Sequence, residues 1–316
     1  MPHHAPLPRV VPAAKPPVAL RRHGCHGTAA LRPEAIAAAT DAMLAEGTSI
    51  TGMVWLHPEV PSAFLESRRD VWVYLPPGYD PAGRTRYPVL YMHDGGNLFC
   101  SHTAFRGEEW GVDEAAEWLI GSGEMPPIII VGVGNTEHRT EEYTWVRDAD
   151  GDGGGGRSYA RFLIEELKPF IDTVYRTLPT RRFTGVMGSS LGGLMSLYLG
   201  RYRWRTFGRV GAMSPSLWWA DRQALADLRA MPTSLRLWVD MGSVEGEDDA
   251  ESADLLDDAR ALVSALEARG FQPGDNLVYW EAEGHGHDEG AWGARVVDAL
   301  RYLYGWDSLR IHRRAA

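Results

Sequence analysis

Only two cysteines, Cys25 and Cys100, occur in 316 residues. They are too few for a disulfide framework or a cysteine-based zinc site, and their unrelated contexts predict two free thiols. Apolar runs approaching the roughly 20 residues of a membrane-spanning helix are missing as well. Near the N-terminus, prolines interrupt the stretch where a signal peptide would carry its apolar core, and this predicts a cytoplasmic protein. Positive charge is in deficit: 32 Lys and Arg stand against 42 Asp and Glu, a formal net charge of −10 at pH 7. That balance argues against the broad positive surface that non-specific nucleic-acid or anionic-membrane binding needs, and it suits a small neutral or cationic ligand. Metal-binding signals are weak too. DADGDGGGG from Asp148 has the opening alternation of a calcium loop, but Tyr159 stands where the closing carboxylate belongs, so the stretch reads as a flexible connection. His3, His4, His23 and His26 beside Cys25 lie in a segment without structure to hold them, and neither a metal nor a cofactor is expected.

What is present is ordinary core material, 44% hydrophobic and 23% charged residues. Residues 1–30 are rich in Pro, His and Arg without apolar periodicity and read as a disordered tail; residues 31–316 read as one domain. A short helix is predicted from Pro33 to Glu46, with Pro in its first turn. Beyond it, β-rich runs alternate with helical ones, the pattern of an α/β fold with a mostly parallel sheet flanked by helices. The eight strand candidates are TGMVWLH from Thr51, DVWVYLP from Asp70, PVLYMHD from Pro88, IIIVGVG from Ile128, RFTGVMG from Arg182, RVGAMS from Arg209, LRLWVD from Leu235 and LVYWEAE from Leu277. No helix separates the first two, which predicts an antiparallel N-terminal edge. Tyr159, Phe162, Leu163, Leu167, Phe170, Ile171 and Val174 recur at helical spacing, as do Leu255, Leu256, Ala259, Leu262, Val263 and Leu266, and both sets read as core faces.

The strongest local feature is Gly188-Ser189-Ser190-Leu191-Gly192, which follows the fifth strand and leads into the helical run LMSLYLGRY. A serine on so tight a strand-to-helix turn needs glycine two residues to either side, because the backbone is strained and neighbouring segments crowd it. Ser190 would present its hydroxyl above the sheet edge. A serine hydroxyl is a weak nucleophile at neutral pH, so this reading requires a later histidine as base and a carboxylate to orient it. Both follow in order. Asp240, Glu245, Asp248 and Asp249 come after the seventh strand, and His285 and His287 after the eighth; Glu245 and His287 are the choices, with the others as rivals. Backbone donors for a developing oxyanion are expected from Leu191 and from the loop His93-Asp94-Gly95-Gly96-Asn97, with Gly96 preferred and Asn97 next. Trp218, Trp219 and Trp292 are candidates for an aromatic acyl pocket, with core packing as the alternative. Arg106 and Arg139 are candidates for holding an anionic group.

Taken in order, VYLPPGYD, LYMHDGGNLF, WGVDEAAEWLI, GSSLGGLMSLY, FGRVGAMSPSLWW and GHGHDEGAW resemble the putative esterase family of α/β-hydrolases, over about residues 50 to 305. That group includes enterochelin esterases, esterase D, feruloyl and acetyl-xylan esterases and the antigen 85 mycolyltransferases. The resemblance implies the α/β-hydrolase fold, with Ser190 on the nucleophile, His287 on the base five residues before Trp292, Glu245 on the acid and Gly96 on the oxyanion-hole residue. It implies a cofactor-independent serine esterase acting on a small-molecule ester, of siderophore type or with another aromatic acyl group, and next a feruloyl or acetyl-sugar ester. Neither nucleic acid nor membrane is expected as a partner, and the oligomeric state is not legible in the sequence. An acyltransferase with the same triad, or a silent hydrolase-like binding protein, are the alternatives.

Overall fold

The computed structural model describes residues 33–45 and 49–309, so the predicted tail and Cys25 lie outside the described residues. Strands β1 (Met53–Val60), β2 (Arg69–Leu75), β3 (Val89–Met92), β4 (Ile129–Val133), β5 (Thr184–Ser189), β6 (Arg209–Met213), β7 (Arg236–Gly242) and β8 (Leu277–Ala282) build one sheet in the order β1-β2-β4-β3-β5-β6-β7-β8. All eight predicted strands are there. β1 is antiparallel to β2 and β2 to β4, and every other neighbouring pair is parallel. The short link between β1 and β2 leaves no room for a crossover, whereas helices span every connection from β3 onward.

The helices are α1 (Pro33–Ala45), α2 (Val112–Gly121), α3 (Arg139–Tyr143), α4 (Gly156–Arg161), α5 (Lys168–Val174), α6 (Leu191–Tyr202), α7 (Gln223–Leu228), α8 (Asp249–Arg269), α9 (Glu289–Tyr304) and α10 (Trp306–Leu309), with a π-helical stretch, Phe162–Leu167, joining α4 to α5. Side chains alternate across the strands and divide the core in two. Val71, Val131, Val210, Leu237 and Val239 face the side covered by α4 to α8; Trp72, Ile130, Met213 and Trp238 face α2, α9 and α10. Asp240, two residues after Trp238 on β7, points to the α9 side as well and is fully buried there.

Two loops bear on the predicted chemistry. In the glycine-rich connection, Asp148 Oδ1 accepts from the amides of Asp150 (3.0 Å) and Asp152 (2.9 Å), closing the loop on itself. Tyr159 is buried, with its hydroxyl 3.0 Å from His93 Nδ1. Among the described residues, no group of three or more His, Cys, Asp or Glu is arranged to hold a metal ion.

At the N-terminal edge, the first turn of α2 grips the chain entering β1. The Thr51 amide donates to Asp113 Oδ2 at 2.6 Å, and Thr51 Oγ1 donates to Glu114 Oε1 at 2.8 Å. Asp113 is fully buried, and burial, followed by the adjoining carboxyl of Glu114, pushes its own carboxyl up to about 9. The folded protein therefore keeps a proton there that the unfolded chain loses at about pH 4, so stability drains away as pH rises from about 4 towards the folded-state value. Asp113→Asn carries no titrating proton and keeps the acceptor for Thr51. It is expected to raise the midpoint of thermal unfolding by about 2 °C or more at pH 8 and to have little effect at pH 4.5. Thermal melts of both proteins at the two pH values check this, and an equal shift at both would refute it.

Candidate active site

Ser190 sits between β5 and α6 with φ 56° and ψ −126°, a conformation costly for a residue with a Cβ. The turn is held from both sides: the Ser190 amide donates to Met213 O (3.0 Å), and the Ser216 amide donates to Ser190 O (3.1 Å). Glycine at 188 is dictated by crowding, since a Cβ there would come within 2.9 Å of both the Gly192 backbone and the buried His93 ring. Burial lowers the pKa of His93 to about 4, so this ring packs as a neutral group at neutral pH. Ser190 Oγ lies 3.3 Å from Ser216 Oγ.

Among the rival acids and bases, one pair meets. His287 Nδ1 lies 2.8 Å from Glu245 Oε2; the Glu245 side chain is buried, and that of His287 is about a third exposed. Asp248 is occupied as the cap of α8, accepting from the Glu251 amide at 2.8 Å. Asp240 accepts from Trp238 Nε1 at 2.6 Å and faces Arg295 Nη1 at 3.3 Å. Burial pushes the Asp240 carboxyl up to about 6, against the pull of Arg295 and the Trp238 bond. His285 turns its Nδ1 to Ala291 O at 3.4 Å. The two loops are stitched together, the Val244 amide donating to His285 O (3.1 Å) and the Gly284 amide to Ser243 Oγ (2.8 Å). Gly242 must be glycine here, because a Cβ would strike His285 O and stand 2.7 Å from Glu245 Oε1.

After β3, Asp94 adopts the left-handed conformation (φ 55°, ψ 46°) and opens a single 3-10 turn, Gly95–Asn97. The Asn97 amide is taken by Asp94 O (2.9 Å), while Gly96 O accepts from Thr103 Oγ1 (2.6 Å). The Leu191 amide opens α6, where helix geometry supplies no acceptor. Arg139 is committed within the protein: Nε and Nη2 hold Asp94 Oδ1 and Oδ2 at 2.7 and 2.9 Å, and Asn135 Nδ2 donates to Oδ1 at 2.7 Å. Burial works against the Arg139 charge, but Asp94 more than offsets it and raises its pKa. Arg106 is exposed and lies over the Phe105 ring, 5.1 Å from its centroid.

The three tryptophans have different surroundings. Trp292 is buried edge-on to the His287 ring at 4.9 Å, Trp219 is buried with Nε1 on Val146 O (2.8 Å), and Trp218 is exposed beside it. Asn97 Nδ2 donates to Glu289 Oε1 (3.1 Å), joining the loop after β3 to the first turn of α9. Burial, followed by the charges of Asp94, Asp288 and Glu108, raises the Glu289 carboxyl above its ordinary value.

A strained turn serine, a carboxylate-bound imidazole and the opening amide of α6 at one end of a parallel sheet suit acyl transfer. The model of the family described as "Putative esterase" matches residues 62–303. The chain belongs to this family. Membership places it among ester-hydrolysing enzymes. The uncharacterized protein YbbA of Bacillus subtilis is 26% identical over 74% of this chain and 91% of its own length. The iron(III) enterobactin esterase of Dickeya dadantii is 26% identical over 77% of this chain, and the chain spans 53% of that relative's length. Among solved structures, the BES protein of Bacillus cereus matches with a TM-score of 0.62 at 23% identity, covering 80% of this chain and 94% of its own. The enterobactin esterase of Shigella flexneri matches with a TM-score of 0.62 at 22% identity, over 83% and 60%. These likenesses establish the α/β-hydrolase fold.

Sequence reasoning passed over Ser214, Ser216 and Arg295, which contact Glu245 or Ser190 directly. For Arg295 a signal was present: it interrupts the apolar stripe Trp292, Val296, Ala299, Leu300 and Leu303 of α9, and a charge on a buried face needs a partner. Asp240, following Trp238 at strand spacing, carries the complementary signal.

Proposed function

We propose that the protein is a serine carboxylic-ester hydrolase in which Ser190, His287 and Glu245 form the triad. Ser190 Oγ attacks the ester carbonyl while His287 Nε2 takes its proton. The carbonyl oxygen gathers negative charge against the amides of Gly96 and Leu191, and the tetrahedral centre collapses as His287 returns the proton to the leaving alcohol. Water then attacks the acyl-enzyme by the same route and releases the acid. Glu245 keeps the Nδ1 proton in place and stabilises the imidazolium. The observation that carries this reading is the 2.8 Å contact between His287 Nδ1 and Glu245 Oε2 at the same end of the parallel sheet as the strained Ser190 turn. Ser190 must leave its resting contact with Ser216 to meet His287, and such contacts commonly tighten only when substrate binds.

For the substrate, support comes from relatives described as iron(III) enterobactin and salmochelin esterases and from the exposed Trp218 ring, which offers a face for an aromatic acyl group. We therefore favour a siderophore-type or other aromatic-acyl ester. A fluorophosphonate probe is expected to label one site per chain, on the peptide bearing Ser190, and a feruloyl p-nitrophenyl ester is expected to outpace the acetyl to octanoyl series. Absence of labelling, or labelling elsewhere, would remove the nucleophile assignment. A rate that simply tracks acyl length would remove the aromatic one.

A further inference from the structure

Glu245 has two oxygens, and catalysis by the proposed triad requires one of them to face His287. Oε1 accepts from Ser214 Oγ and from the Gly242 amide, each at 2.5 Å, and Oε2 is left for His287. The direction of the Ser214 bond is fixed by counting. A serine hydroxyl has one hydrogen and two lone pairs. Trp292 Nε1 and Arg295 Nη2 both donate to Ser214 Oγ at 3.0 Å, and neither group can accept. Both lone pairs are filled, so the hydroxyl hydrogen has only Glu245 Oε1 to go to.

Arg295 itself is fully buried, with Nη1 3.3 Å from Asp240 Oδ1 and 3.6 Å from Glu245 Oε1. One guanidinium thus stands between two carboxylates, an arrangement that leaves a net negative charge behind the imidazole. We propose that Ser214, with Arg295 and its counter-ion Asp240, is the positioning unit of Glu245. It connects β6, β7 and α9 to the acid and decides which carboxylate oxygen meets His287. The proposal rests on the triad reading, and its test separates the two.

In Ser214→Ala, Glu245 Oε1 loses one of its two hydrogen bonds and the carboxylate turns away from the imidazole. The expected result on an aromatic p-nitrophenyl ester is a kcat lower by about ten- to a hundredfold with KM within about twofold of wild type. The downfield proton resonance of His287 Nδ1–H should shift or broaden as well, which a merely structural role would not cause. Arg295→Met leaves two buried carboxylates without their cation and is expected to melt well below wild type. Adding Asp240→Asn is expected to recover most of the melting temperature but not kcat, because Ser214 still lacks a donor. Wild-type kcat and an unmoved Nδ1–H resonance in Ser214→Ala, or full kcat in the double variant, would overturn the positioning role. Glu245→Gln is the control: if it keeps wild-type kcat, the acid assignment itself fails, whereas a large loss there beside an active Ser214→Ala sinks this proposal alone.

Discussion

Replacing Ser190 by alanine is expected to lower kcat/KM on p-nitrophenyl esters by about a thousandfold or more while the melting temperature holds or rises slightly. The rate falls because the bond-forming atom is gone, so no acyl-enzyme can form and only transition-state binding by the amides remains. The fold should tolerate the change. The turn is fixed by backbone bonds through Met213 and Ser216, and the Ser190 hydroxyl makes one long contact, to Ser216 Oγ. Steady-state rates and thermal melts on the same preparations check both halves. A variant that folds like wild type and retains more than about a tenth of the activity would place the chemistry elsewhere.

A loss of similar size is expected for His287→Ala, and combining it with Ser190→Ala should cost little more than either change alone. Groups that act as one unit fail together: without the imidazole, the serine keeps its proton and the leaving alcohol receives none. The neighbour provides the comparison. His285 turns its Nδ1 towards Ala291 O and not towards Glu245, which holds His287, so His285→Ala is expected to stay within about threefold of wild type. Equal losses at the two histidines would show that the loop conformation, and not the imidazole at 287, matters. Additive losses in the Ser190 and His287 double variant would break the assignment of both to one proton path.

Much of the scaffold was legible because a buried parallel strand is a short apolar run and its connection a helical one. The edges were less so. β1 was read as starting at Thr51 and stopping at His57, yet it runs from Met53 to Val60 with a register shift after His57, and the irregularity includes Glu59 at φ 52°. A bulge disturbs the alternation that strand reading depends on. The placement of the chemistry split along similar lines. Chain order brought a serine, acids and histidines to one sheet edge, but the choice among the acids turns on burial and capping, which spacing does not encode. The tryptophans make the point sharply: one residue type is found as a buried donor to Ser214, a buried donor to Val146 O and an exposed ring. Arg139 was an open candidate for the substrate, and its pairing with Asp94 spans 45 positions of sequence with no local cue.

The carboxylates around Glu289 bear on the end of the catalytic cycle. Ester hydrolysis turns an uncharged linkage into an acid that ionises at neutral pH, so the product carries a charge its precursor linkage lacked. Glu108 and Asp288 lie close enough to Glu289 to act on its charge, while the charge of Asp94 is compensated by Arg139. Like charges repel most strongly where water is scarce. A newly formed acid beside Glu108, Asp288 and Glu289 is therefore expected to be held less well than the neutral ester it came from, so the reaction's own change of charge favours release of the product.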